Sequence, residues 1–318
     1  MPEWWIEQGI GESRAVLIED GQIREAQIEL EGLVRAGSVV AARLIDKGRS
    51  GRNAVARDVA DHEYLLPRGA GSVTEGAKLA VEVTRERIPG SEPWKRAIGR
   101  ISSDEPRPSA ALEAELLPFP AAEDALAAAG WNELVDEARE GIVRFAGGEL
   151  RISVTPAMTL IDVDGHLSAD ELAIRGAGEA ARAVRRLDIG GSIGIDLPSA
   201  GSKAARQEAG KAIDRHLPQP FERTAVNGFG FVQIVRPRLR ASLAELAQDA
   251  AAFEARALLR RAALEPPGPK RLVANPAVLA AIRDAGDWTE RLSRQVGGAI
   301  GLRADAALPM SAGYAESP

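Results

Sequence analysis

Two aspartates, each closing a short apolar run, constrain this chain more than any other feature. Asp162 stands in Met158-Thr159-Leu160-Ile161-Asp162-Val163-Asp164-Gly165, and Asp196 in Gly190-Gly191-Ser192-Ile193-Gly194-Ile195-Asp196-Leu197-Pro198. The stretch between them, Ala169 to Leu187, is rich in Ala, Arg, Glu and Leu and reads as one crossover helix. Strand, helix, strand in that order makes the two strands parallel members of one sheet and brings their ends to the same edge. Two carboxylates at that edge form an all-oxygen site suited to Mg²⁺, with Mn²⁺ also served by such donors. Either aspartate alone is more often a helix cap or a turn former. The pairing, and the apolar residues before each carboxylate, argue for phosphoryl chemistry.

The rest of the chain sets bounds on that reading. Apolar residues make up 45% of the 318, enough for a sizeable core, and aromatics only 4%, so the core is expected to be aliphatic. The absence of cysteine excludes disulfides, thiolate zinc sites and a cysteine nucleophile, and fits a reducing cytoplasm. No segment of signal-peptide character opens the chain and no run approaches membrane-spanning length, so a cytoplasmic protein without a membrane partner is expected. The net charge of −6 is unevenly spread. Residues 1–33 hold eight acids against two bases, whereas residues 34–100 hold thirteen bases against eight acids and residues 203–261 eleven against six. Segmental basicity of this kind is what a phosphate backbone meets.

Trp4 to Glu29 alternates apolar and polar residues about Asp20-Gly21, a hairpin signal. Short β-type runs at 38–45, 54–59, 64–66 and 78–84, separated by glycine-rich turns, predict a small barrel of the OB type. Residues 102–109 read as a linker and 121–140 as a helix. Gly147-Gly148 leads into a strand over 149–154 and on to the Asp162 strand. Beyond Asp196 the pattern predicts a helix over 201–216, a strand over 228–234, a helix over 243–264 and a proline-rich linker at 265–269. A small terminal unit follows, with strands at 271–273 and 299–302, helices at 276–284 and 288–296, and a frayed last dozen residues.

Other constellations carry less. Gly194 to Lys203 fails the phosphate-loop pattern, because Ser202 intervenes between Gly201 and Lys203 and the glycine spacing is wrong. There is no Gly-x-Ser-x-Gly elbow, and His62, His166 and His216 are scattered, although His166 lies four residues from Asp162. Arg236, Arg238 and Arg240 alternate after a strand, which would set all three on one face as a phosphate ladder or as a solvated edge.

The segment from Gly147 to Gly165, with its glycine pair, strand, Thr155-Pro156-Ala157-Met158-Thr159 and Ile161-Asp162-Val163-Asp164, resembles the ribonuclease E/G family signature. Ile189 to Leu197 resembles that family's second metal-binding strand, and Gly228 to Leu239 its strand leading into an Arg-x-Arg element. The resemblance is strongest over about 145–245. It implies an α/β fold with a ribonuclease H-like N-terminal part (1–33 with 110–146), an inserted OB-type RNA-binding barrel (34–101), a DNase I-like catalytic domain (147–245) and a helix, linker and small α/β C-terminal domain (246–318). It further implies a Mg²⁺-dependent endoribonuclease that hydrolyses single-stranded RNA in processing or decay, with Asp162 and Asp196 as metal ligands and catalytic residues.

The chain departs from the family at several points. Asp164 stands where the family has Asn and is taken as a third catalytic residue, binding metal or orienting water; an ionised Asp that did neither would repel the phosphate. The family's zinc-linking cysteines are missing, so no zinc is expected and any homo-oligomer must form without it. The segment between barrel and core is too short for most of the usual 5′-monophosphate-sensing domain. The barrel offers Tyr64 and Trp94 for stacking and Lys95 and Arg96 for phosphates. Lys203, Arg206, Arg236 and Arg238 complete the expected RNA contacts. The rival reading is a non-catalytic RNA-binding or ribosome-associated protein on the same scaffold; a nuclease of other substrate is a third.

Overall fold

The N-terminal alternation folds as a meander. β1 (Glu3–Gln8), β2 (Glu12–Glu19) and β3 (Gln22–Leu30) pair antiparallel, and the Asp20-Gly21 turn has positive φ at both residues, the conformation that suits the twist of a tight hairpin. The computed structural model describes residues 2–48, 53–89, 95–199 and 202–318. The chain then leaves this sheet for a closed five-stranded barrel made of β4 (Val39–Asp46), β5 (Ala54–Asp58), β6 (Glu63–Leu66), β7 (Lys78–Arg85) and β8 (Ala97–Ser102), in the order β4-β5-β6-β8-β7. Closure removes every free edge. The barrel core is aliphatic, built on Leu44, Leu66, Val81 and Val83, apart from one buried aromatic, Tyr64.

After the barrel, β9 (Glu115–Leu116) returns to pair parallel with β1. The expected helix over 121–140 is two, α1 (Ala125–Ala128) and α2 (Trp131–Glu140). Gly130 at φ 100 separates them, because its left-handed backbone cannot continue a helix.

The middle of the chain forms a six-stranded mixed sheet. Its strands are β10 (Ile142–Phe145), β11 (Gly148–Val154), β12 (Thr159–Gly165), β13 (Gly191–Asp196), β14 (Glu222–Arg223) and β15 (Phe231–Arg236), ordered β10-β11-β12-β13-β15-β14. The crossover helix α3 (Ala169–Arg186) joins β12 to β13 as expected, and those two strands are parallel. Ser168 caps α3 by accepting from the Glu171 N–H, with acids in the first turn and Arg185 and Arg186 in the last, the charge order that suits the helix dipole. Helix α4 (Lys203–His216) follows β13 and packs on α3 through small residues, Gly178 lying opposite Ala212 and His216.

Only one face of this sheet is covered. Ile161, Val163, Ile193, Ile195, Val232 and Ile234 point into the core, and that core runs without a break through α3 to Val16, Ile23 and Ile28 of the N-terminal sheet. The N-terminal sheet and the middle sheet therefore share one hydrophobic core around α3.

The C-terminal part begins with α5 (Leu243–Leu246), closed at its start by a reciprocal Ser242–Glu245 capping box, and α6 (Ala250–Leu264). The sequence had these as one helix; Asp249, which caps α6, breaks it. A three-stranded sheet follows from β16 (Lys270–Ala274), β17 (Ile300–Ala304) and β18 (Tyr314–Glu316), with α7 (Pro276–Asp284) and α8 (Trp288–Val296) between the first two strands. The expected fraying of the last dozen residues is not found: β18 pairs antiparallel with β16, and Arg271 and Arg303 reach Glu316 at 3.5 Å. Among the described residues no helix is long and apolar enough to cross a membrane.

Candidate functional site

Register places the two aspartates side by side. Asp162 of β12 lies opposite Asp196 of β13 in the parallel ladder, and neighbouring strands stand about 4.8 Å apart. Asp196 ends its strand as expected. Asp162 does not: β12 continues to Gly165, which carries Asp164 onto the same solvent face two residues further on. The site is thus an open sheet face near the strand ends rather than a crevice beyond them. Alternation explains the exposure, since Ile161, Val163 and Ile195 take the buried positions and leave Asp162, Asp164 and Asp196 facing water.

The glycine pair at the start of β11 serves this geometry. A Cβ at Gly148 would lie 2.3 Å from the Asp164 carbonyl oxygen, and one at Gly165 would lie 2.3 Å from the Gly147 carbonyl oxygen. Only glycine lets β11 and β12 close up at the end that carries Asp164.

The three carboxylates repel one another. Partial burial and the charges of Asp164 and Asp196 raise Asp162 above the ordinary aspartate range. Arg151 faces Asp162 across β11 and β12 and opposes that rise, but its guanidinium is turned toward Glu149, to which it donates at 2.6 Å. The negative charge of this face is therefore only partly offset within the molecule. The carboxylates, with Leu172, Pro198 and Phe229, line an open cleft of about 690 Å³. Among the described residues no three or more His, Cys, Asp or Glu groups cluster to hold a metal by themselves. Two carboxylates in register nevertheless fit an ion such as Mg²⁺, which takes hard oxygen donors and keeps several waters in its shell. His166 is exposed near the end of β12, with its backbone N–H on Gly147.

The N-termini of α3 and α4 both rise from this edge. The Ser202 hydroxyl, which caps α4, donates to Asp170 in the first turn of α3 at 2.9 Å. Lys203 is the exposed first residue of α4, and Arg206 sits in the same first turn. Ala169 and Leu172, in the first turn of α3, line the cleft beside the carboxylates, and the Ser202–Asp170 bond holds the start of α4 against that turn; helix N-termini favour an anion.

The arginine comb is not a ladder. β15 ends at Arg236, so the alternation that would hold Arg238 and Arg240 on its face is lost. Arg236 donates to the carbonyls of Val184 and Ile189 at 3.4 and 3.3 Å, Arg238 pairs with Glu245, and Arg240 reaches Asp188 at 3.4 Å and Glu86 at 3.7 Å. These arginines fasten the exit of β15 to α3, to α5 and to the connection that leaves β7 within the barrel. Both expected arrangements, phosphate ladder and solvated edge, give way to internal pairing.

Tyr64 is not an exposed stacking surface. It is 0% exposed, filling the barrel core from β6, and its hydroxyl donates to Asp58 at 2.7 Å. Burial and the Asp58 charge raise its phenol well above the usual range. A base cannot reach that ring. Trp94 lies outside the described residues. Arg96 is exposed and pairs with Glu63 at 3.0 Å, and Lys95 beside it is half-buried. The aromatic that does meet solvent at the cleft is Phe229, 82% exposed. Its signal in the sequence was the Asn227-Gly228-Phe229-Gly230 turn, which lifts a phenylalanine out of the strand.

Comparison with known proteins bears on this site. No family model matches the chain. Ribonuclease G of Escherichia coli K12 is 29% identical over 124 residues, 35% of this chain and 25% of that protein. Ribonuclease G of Salmonella typhimurium SL1344 is 28% identical over 124 residues with the same coverage. The matched segment thus spans about a quarter of the length of these relatives. The similarity is to a ribonuclease, distant and partial.

Proposed function

We propose that this protein is a divalent-metal-dependent endoribonuclease that hydrolyses single-stranded RNA. The observation that carries the reading is the in-register pair Asp162 and Asp196 on an open sheet face, with Asp164 beside them and two helix N-termini at the same edge. The distant similarity to ribonuclease G favours RNA as substrate. On this reading the barrel is an OB-type RNA-binding module, the N-terminal sheet the ribonuclease H-like part and the middle sheet the DNase I-like catalytic part.

Asp162 and Asp196 would hold the ion, Mg²⁺ first and Mn²⁺ as a substitute. Bound there, the ion supplies charge stabilisation at the phosphate and lowers the pKa of water. Asp164, on the same face, accepts a hydrogen bond from the attacking water and so orients it. Lys203 and Arg206, with the N-terminus of α4, draw the phosphate backbone toward the face. Arg96 and Lys95 would guide RNA across the barrel. Arg236 and Arg238 act through the fold, by fixing the β15 exit.

The test is incubation of the purified protein with an unstructured labelled RNA, with Mg²⁺ and with chelator. Internal cuts that require Mg²⁺ and vanish in Asp162→Asn and in Asp196→Asn, both still folded, are expected. Cuts that survive either substitution sink the reading. RNA binding without any cutting would favour a non-catalytic RNA-binding protein, for which Asp164 in the place of an asparagine is the motivating feature.

A further inference from the structure

Phe229 stands out among the large apolar side chains of this molecule. It is 82% exposed, on the rim of the cleft that holds Asp162, Asp164 and Asp196. An exposed phenylalanine alone is unremarkable on a protein surface. Its support is not. The Asn227 side chain accepts from the backbone N–H groups of Phe229 at 2.9 Å and Phe231 at 3.1 Å. The backbone of Asn227 pairs with Phe231 and Gly230 to close the turn at 3.0 and 3.2 Å. Gly230 sits at φ 92, where a Cβ would lie 2.1 Å from the Leu197 carbonyl oxygen, and its own carbonyl accepts from the Leu197 N–H at 3.2 Å. The turn is thereby locked to the residue that follows Asp196. A rigid turn thus holds an aromatic ring in water beside the carboxylates.

We infer that Phe229 is a stacking platform for an unpaired nucleobase of the strand whose phosphate lies at Asp162 and Asp196. This rests on the ribonuclease reading above and adds to it the feature that selects single strands. A phenylalanine ring has no hydrogen-bonding group, so its use to a polar ligand is its face, and every base offers a matching one. Among the described residues the cation–ring contacts are those of Arg14 on Trp131 and Arg260 on Phe119, so this ring is not taken by an internal cation. A base inside a duplex already has both faces covered by its neighbours and cannot use the platform without leaving the stack. Phe231, opposite Asp196 in the ladder, continues the aromatic surface back along the sheet, its ring lying over Gly194 together with Leu160. A strand crossing the site would lay its phosphate on the carboxylates and the adjoining base on Phe229.

The experiment measures equilibrium binding of the full chain, in Mg²⁺, to a single-stranded RNA oligonucleotide with a cleavage-resistant modified backbone, using a series in which one abasic residue moves along the strand. One abasic position should weaken the wild-type protein by about 5- to 150-fold, the range expected for one stacked base. Phe229→Ala should lose about as much on the intact oligonucleotide and nothing further on that abasic one, and Phe229→Trp should restore both affinity and abasic sensitivity. Equal affinity of Phe229→Ala and wild type, or losses that simply multiply, overturns the platform. So does a change in self-association with RNA affinity untouched, which would make the ring a protein contact. Cleavage with Mg²⁺ is followed separately. Absence of cutting by the wild type would defeat the catalytic reading while leaving the abasic coupling to be judged on its own.

Discussion

Two groups of charged residues in this molecule are treated in opposite ways. On the middle sheet Asp162, Asp164 and Asp196 face water, and partial burial first, with the charges of Asp164 and Asp196 next, lifts Asp162. Between the N-terminal sheet and α6 the acids are matched, with Glu7 and Glu12 buried and Asp124 half-buried. Glu7 takes Arg14 at 2.8 Å and Arg260 at 2.9 Å, Glu12 takes Arg14 and Arg256 at 2.6 Å each, and Asp124 takes Arg260 at 2.6 Å. Three arginines meet three carboxylates there, and Glu7, Glu12, Arg14, Arg256 and Arg260 are each at most 6% exposed. Burial by itself would lower the Arg260 guanidinium, yet Asp124 and Glu7 outweigh it and hold it above its ordinary value. Balanced charge joins distant parts of the chain; the unbalanced charge lies at the surface. On the proposed reading, the difference separates acids that hold the fold from acids that would hold a metal ion.

The comparison breaks most visibly at Arg260. Arg260→Met keeps the bulk but leaves Asp124 without its arginine and Glu7 with Arg14 alone, and removing one partner of a buried pair costs about 3–5 kcal/mol. Urea titration of this variant should show that loss, with Glu7→Gln added in the same chain recovering part of it. A loss below about 1 kcal/mol would mean that α6 is held by its apolar contacts, among them Ile10 against the C-terminal core, and that the network is incidental.

At the open face the sign reverses. Asp162→Asn removes one of three mutually repelling charges and should leave stability unchanged or raise it, by no more than about 1 kcal/mol, while the same substitution abolishes cutting. A variant that loses activity together with several kcal/mol of stability would show that Asp162 is a structural residue after all.

Much of the scaffold was legible because it rests on local pattern. The Asp162 strand, the crossover helix and the Asp196 strand follow from apolar runs, a serine cap and charge order along α3, and the barrel from short runs and turns. What the residues did not announce depends on long-range pairing. Glu7 and Arg260 are far apart in the chain, and each reads as a surface charge until β1 and α6 meet. Tyr64 looked like a stacking residue because a lone aromatic in a barrel serves either surface or core, and only the register of β6 with β5 turns it inward. Arg238 and Arg240 looked like a comb because alternation was extended past the end of β15. Phe229 was in plain view, but its role depends on the Asn227 turn that lifts it out of the strand.

The finest test of the comparison is the charge coupling within the open face. Asp162 is raised by burial first and by Asp164 and Asp196 next. Removing the Asp164 charge as Asn must therefore lower Asp162, so that it ionises at more acidic pH. The sign also sets stability. A carboxylate raised in the folded state favours folding at low pH, and that favour is lost as pH climbs through its folded value. Asp164→Asn should bring the folded value closer to the unfolded one and flatten the fall in stability over the mildly acidic range. Carboxyl NMR titration of the metal-free protein reads the shift directly, and the effect should be well under that of any substitution in the buried network, because solvent screens this face. An Asp162 midpoint that stays put in Asp164→Asn would mean that Asp164 is not coupled to Asp162 and stands outside the site formed by Asp162 and Asp196.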